Sequence, residues 1–160
     1  MASKESIKEG QALKGEWKIQ WNNSPRKSKI EAIDNSFPFD SHRKISNTLT
    51  RAQASLLIQL RTRHIPLNSY LHKIGKTASN RCEACWRQSQ VMTPESVQHF
   101  LFECPEYAIQ RSRLENKLGR DSRDLRSILK NKDKTLELVH YIAQTKRLRF
   151  SLGELKEQGD

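Results

Sequence analysis

All three cysteines of this 160-residue chain fall inside one short window, RCEACWRQSQVMTPESVQHFLFEC, and a histidine lies between the second and the third. The spacing is Cys82-x2-Cys85-x13-His99-x4-Cys104. Two cysteines separated by two residues can close a tight turn with both sulfurs aimed at one ion, the usual first half of a zinc site. The second half needs two more ligands from one local element. Thr93-Pro94-Glu95 reads as a helix start, with Thr93 as cap and Pro94 in the first position, so His99 projects from that helix. An α-helix would put Cys104 about 140° around from His99. Cys104 is therefore expected at or just past the helix end, and Pro105 favours a new helix there. Three thiolates and a neutral imidazole fill a tetrahedral Zn²⁺ with no vacancy, which marks a structural rather than a catalytic site. The plainer alternative is three buried thiols and an unrelated histidine, with Cys104 in register with Val97, Phe100 and Leu101.

The odd cysteine count and the polar N-terminus, MASKESIKEGQALKGEW, argue against a disulfide-stapled secreted fold. No apolar run approaches a membrane span, and an intracellular, nuclear location is expected. Only 35% of residues are hydrophobic, so a zinc staple would compensate for a thin core.

Periodicity points to a mostly α fold with little or no β. In NTLTRAQASLLIQLRTRHIPLN, Leu49, Ala52, Leu56, Leu57 and Leu60 recur at helical steps, with Thr48 or Thr50 as cap. Gln53, Gln59, Arg51 and Arg61 fall away from that stripe. Pro66 breaks the helix, and LNSYLHKIG makes a shorter one with Leu67, Tyr70, Leu71 and Ile74 inward and Gly75 closing it. Beyond the cysteine window, Tyr107, Leu114 and Leu118 share a helix ended by Gly119. Asp121 or Ser122 caps DLRSILK, and Leu136, Val139, Tyr141 and Ile142 mark a final helix. Residues 1–45 read as a basic arm or linker, 46–148 as the helical zinc-binding domain, and 149–160 as a disordered tail. In the arm, Ile30, Ile33, Phe37 and Phe39 are expected to dock on a neighbour, and the paired Trp17 and Trp21, with Ile19 between them, read as anchors to the core more readily than as base-stacking groups.

The chain carries a net charge of +11, and Ser41 to Arg81 contains no Asp or Glu. That stretch holds Arg43, Lys44, Arg51, Arg61, Arg63, Lys73, Lys76 and Arg81. Phosphate backbones are the commonest partner for such a run, the bland reading being a solvated basic surface. Arg51, Arg61, Arg63, Lys73, Lys76 and Arg81 are the expected nucleic-acid contacts. His64 and His72, in the basic helix pair, read as exposed or capping groups more readily than as phosphate contacts, while His140 falls in the final helix and His42 in the link.

QLRTRHIPLNSYLHKIG, RCEAC and VQHFLFECPEYAIQR together resemble the C-terminal region of non-LTR (LINE-type) retrotransposon polyproteins, especially fungal ones. There a QLRTGHIPLN block precedes a Cys-x2-Cys, and an ETV.HFL..CP.Y block supplies the histidine and last cysteine. The likeness spans roughly residues 17–150, with Pro94-Glu95-Ser96-Val97 at the usual Glu-Thr-Val and Arg63 in place of a common glycine. It implies a reverse transcriptase zinc-binding domain that holds RNA or DNA, with ligands Cys82, Cys85, His99 and Cys104. The family's polymerase Asp-Asp motif and ribonuclease H acidic cluster are absent, so no catalysis is expected. Glu115-Asn116-Lys117 and Glu154-Leu155-Lys156 resemble a nuclease Glu-x-Lys only superficially, because residues two apart on a helix face different ways. The alternatives are a module that docks on the polymerase or ribonuclease H domains of a related polyprotein, and a truncated relic with no role of its own.

Overall fold

Apolar residues recur at three- and four-residue steps and almost nowhere at two, and helices are what the chain builds. The computed structural model describes residues 4–32, 40–153 and 155. In order they form α1 (Lys4–Asn22), α2 (Lys27–Glu31), α3 (Asp40–Ser46), α4 (Arg51–Thr62), α5 (Asn68–Lys73) and α6 (Glu83–Ser89). A π-turn (His99–Glu103) and a 3-10 turn (Pro105–Tyr107) lead into α7 (Ala108–Leu118). A second 3-10 turn (Gly119–Arg123) precedes α8 (Leu125–Lys130), α9 (Lys132–Thr145) and α10 (Arg149–Leu152). Among the described residues there is no strand, only an isolated antiparallel bridge between Arg81 and Pro94.

The cap of α4 is Thr50, in a reciprocal box: Gln53 N donates to its hydroxyl at 3.3 Å, and Thr50 N donates to Gln53 Oε1 at 3.0 Å. The buried arc of α4 is wider than the leucine stripe alone suggests. Gln53, Leu56, Leu57, Leu60 and Arg61 are all buried, an i, i+3, i+4, i+7, i+8 set. Arg61 and Gln53, expected to face away, are thus turned inward. Arg61 Nη1 donates to the Leu129 carbonyl at 3.4 Å, tying α4 to α8.

The chain leaves α4 through Arg63, whose φ of 60° is left-handed. A non-glycine residue there sits in a backbone region that costs about 1 kcal/mol relative to glycine. Arg63→Gly is therefore expected to stabilise the fold by up to about 1 kcal/mol, read as a raised denaturation midpoint. An unchanged or lowered midpoint would mean the Arg63 side chain contributes more than its backbone costs.

Ile65 and Leu67 are buried on the way into α5, and Tyr70 and Leu71 are half-buried. Ile74, expected inward, is 46% exposed, because α5 ends at Lys73 before that position reaches the core. Gly75 closes the segment with φ 69°.

Helices α7 and α8 both pack on α9 and, with α4, enclose the core. Thr135, Leu138, Val139 and Ile142 form the buried i, i+3, i+4, i+7 face of α9, joined by Tyr141. Leu138 is fully buried and Leu136 only half-buried, one position off that face. The cap of α8 is Asp124, which accepts from Arg126 N at 3.0 Å. Asp121 and Ser122 lie instead in the preceding 3-10 turn, where Asp121 pairs with Lys134.

At the N-terminal side, α1 is a largely exposed helix with Trp17 47% exposed and Trp21 half-buried. Short α2 packs on α4, and Ile45 of α3 is buried in the core. Ile33, Phe37 and Phe39 lie outside the described residues. At the other end, Leu148 is buried and Leu152 and Leu155 pack against the core, so helical structure continues past residue 148. Residues 154 and 156–160 lie outside the described residues.

Candidate metal centre

Two local devices bring the four ligand residues together. The first is a backbone clasp. Cys82 N donates to the Thr93 carbonyl at 2.7 Å and Glu95 N to the Asn80 carbonyl at 2.8 Å, on either side of the Arg81–Pro94 bridge. Thr93 and Pro94 are therefore extended partners of the first cysteine turn, not a helix cap and first helical residue. Proline is tolerated there because an isolated bridge asks no ladder donor of it. The helical turn starts later, at Ser96, whose hydroxyl accepts from His99 N at 3.1 Å. Cys82 itself is the N-cap of α6 and Cys85 lies in its first turn.

The second device is the π-turn. Cys104 N donates to the His99 carbonyl at 2.7 Å, a five-residue step. In an α-helix those residues would point about 140° apart. The wider turn returns both to the same side. Cys104 stands just past its end in extended backbone (φ −61°, ψ 122°), and Pro105 opens the next turn.

The outcome is a buried quartet: Cys82, Cys85, His99 and Cys104 have ligand atoms all within 4.8 Å of one another. Cys82 Sγ and Cys104 Sγ are 3.8 Å apart, Cys85 Sγ and Cys104 Sγ 3.9 Å, and Cys85 Sγ and His99 Nε2 3.3 Å. Metal–sulfur bonds of 2.3 Å and a metal–nitrogen bond near 2.0 Å at the tetrahedral angle give edges of about 3.8 Å and about 3.5 Å. These three edges agree to a few tenths of an ångström, and with all four ligand atoms inside 4.8 Å the group could hold a metal ion.

Burial pushes the Cys104 thiol up to about 12, and burial likewise raises Cys85. His99 is lowered, again chiefly by burial, which keeps it in the neutral form that ligates. Burial thus favours the protonated thiols of Cys85 and Cys104, and binding an ion must expel their protons. His99 Nδ1 faces Glu103 Oε2 at 3.9 Å, leaving Nε2 as the donor toward the centre.

An outer layer holds the turn. Arg111 Nη1 donates to the Cys104 carbonyl at 2.8 Å. The Tyr141 hydroxyl shares its proton between the carbonyls of Phe100 (3.1 Å) and Leu101 (3.3 Å), reaching into the π-turn from α9. Tyr141→Phe should cost about 1 to 2 kcal/mol by leaving those carbonyls short of a donor. It should also weaken metal retention; a variant with wild-type melting and metal affinity would show the hydroxyl to be incidental.

Glu95, 3% exposed, was not singled out by sequence reasoning, since Pro-Glu reads simply as a helix start. Its carboxylate accepts Arg147 Nε and Nη2, each at 2.6 Å, and Asn68 N at 2.8 Å. The pair joins the ligand-bearing clasp to α5 and to the end of α9.

Of the expected nucleic-acid contacts, Arg51, Arg63, Lys73 and Lys76 are exposed, at the two ends of α4 and at the end of α5. Arg61 is buried, so its expected phosphate contact is corrected to a packing role between α4 and α8. Arg81 lies over the Trp86 ring at 4.7 Å and pairs with Glu83 at 3.0 Å. His64 stacks near Tyr70, and His72 Nδ1 is 3.1 Å from the Thr77 carbonyl. Glu115 and Lys117 pair with Arg123 and Glu137 respectively, so this Glu-x-Lys does not converge, and Glu154 and Lys156 lie outside the described residues. Among the described residues no helix is long and apolar enough to cross a membrane. Comparison of the chain with known protein families, with curated proteins and with solved structures finds no match in any of the three.

Proposed function

We propose that the chain is a non-catalytic module, stapled by Zn²⁺, that binds nucleic acid through its basic helix pair. The buried quartet carries the reading: three thiolates and an imidazole suit Zn²⁺ better than oxygen-seeking ions, and four protein ligands leave no position for substrate. The ion's part is to fix the fold. Exposed Arg51, Arg63, Lys73 and Lys76, in a stretch without acids, supply the phosphate contacts. This agrees with the resemblance to the zinc domain of non-LTR reverse transcriptases, and a nuclear location goes with that role.

If four phosphates are engaged, log K should fall against log salt with a slope of about −3 to −4. Arg63→Glu with Lys76→Glu should flatten it by about half. A flat slope in the wild-type protein overturns the reading. One observation favours a second reading, docking on polymerase or ribonuclease H domains of a related polyprotein. The same helix pair exposes Ile58 (49%) and Ile74 (46%), apolar groups that phosphate binding does not use. Absence of any shift with single-stranded RNA or duplex DNA, at low salt, would select docking.

A further inference from the structure

The C-terminal corner holds a cleft of about 260 Å³ that neither the metal centre nor the basic helix pair uses. Ile142, Ala143, Leu148 and Leu155 form its apolar walls, with Lys146 and Arg149 among the lining. No acidic side chain lines it among the described residues. Lys146 ends α9 in left-handed backbone (φ 55°), the turn after which the chain brings Leu148 to the cleft. Phe150, next to Arg149 on α10, is fully exposed at 102%, an aromatic ring with no burial at all on a segment rich in cations.

We propose that this corner binds an unpaired nucleotide of a single strand, the base in the apolar cleft and its neighbour laid on Phe150. The inference rests on the nucleic-acid reading above and extends it to a second contact region with a strand preference. The cleft lies just below the roughly 300 Å³ at which drug-sized sites begin, which suits one flat base and not a longer ligand. Apolar walls with Lys146 and Arg149 beside them match a group that is flat and apolar at one end and anionic at the other. Stacking on an exposed aromatic is open to any base, whereas a duplex keeps its base faces covered.

The test uses the full metal-loaded chain with a short single-stranded oligonucleotide and a duplex of equal length, read by fluorescence anisotropy. Phe150→Ala should weaken single-strand binding about tenfold and leave duplex binding unchanged. Lys146→Gln should lower the single-strand salt slope by about one phosphate contact. Thermal melts should not move for Phe150→Ala, because that ring is packed against nothing. If the wild-type chain binds single strand but both variants bind it equally well, the cleft is not the site and the parent reading stands. If Phe150→Ala weakens single strand and duplex alike, the strand preference is wrong. If the wild-type chain binds neither, both readings fall together.

Discussion

Chelation of the metal-loaded protein is expected to remove the helical far-UV signal of the cysteine-to-C-terminus half, not merely empty the site. Cys82, Cys85 and Cys104 belong to the same buried cluster as Phe100, Leu101, Tyr107, Leu114 and Tyr141. Phe100 meets Tyr107 edge-on at 5.3 Å and Tyr141 at 6.4 Å, so the π-turn is packed directly onto α9. A structural Zn²⁺ site contributes on the order of 10 kcal/mol at neutral pH. Whole domains are stable by about 5 to 15 kcal/mol. If the quartet holds such an ion, its loss is therefore expected to remove most or all of the net stability. Cys104→Ser should act in the same direction, since it takes one thiolate from the centre and leaves a hydroxyl in an apolar pocket. Lowering pH should weaken retention, because protons compete for buried thiols whose proton affinity burial has already raised. Metal content by mass spectrometry, with melting before and after chelation, checks all of this; an apo-protein that melts cooperatively at the same temperature would falsify the structural role.

The centre was legible in sequence because ligand chemistry leaves few alternatives: a chain that spends all its cysteines within one window, with a histidine at matching spacing, narrows the candidates to four residues. The device that makes the spacing work was not legible. A π-turn has no composition of its own, and the x4 interval between His99 and Cys104 reads only as a helix end. Thr93-Pro94 is a sound local helix start, yet the clasp between Cys82 N and the Thr93 carbonyl overrides it. The same kind of tertiary override turned Arg61 inward. A charged residue looks like surface in sequence, but α4 is packed over more than its leucine stripe, and the α8 carbonyl of Leu129 gives the guanidinium a partner. Asp121 and Ser122 are the caps of DLRSILK expected from sequence, but Lys134 engages Asp121 in the preceding turn and Asp124, three residues on, caps the helix instead.

Arg147→Ala is expected to destabilise the protein by about 3 to 5 kcal/mol, more than any other surface-reaching substitution here. It strands the Glu95 carboxylate, whose side chain is 4% exposed, with Asn68 N as its remaining donor. The hydrogen bonds that Arg147 donates to Glu95 hold the guanidinium's proton affinity above its ordinary value, and the contact is doubly bonded. Glu95→Ala should cost less, because Arg147 is 26% exposed and its guanidinium can turn to water. Asn68 N would still lose its acceptor. The double variant should be less destabilised than the sum of the two, with a coupling of about 1 to 3 kcal/mol. Arg147→Lys keeps the charge but not the forked geometry, and should recover only part of the loss. The effect should reach the metal: Glu95 lies between the clasp and Ser96, the residue that starts the turn bearing His99. Metal retention in Arg147→Ala should therefore fall along with stability. Melting within about 1 kcal/mol of wild type, with metal retained, would place the bond between Glu95 and Arg147 outside the forces that hold the centre together.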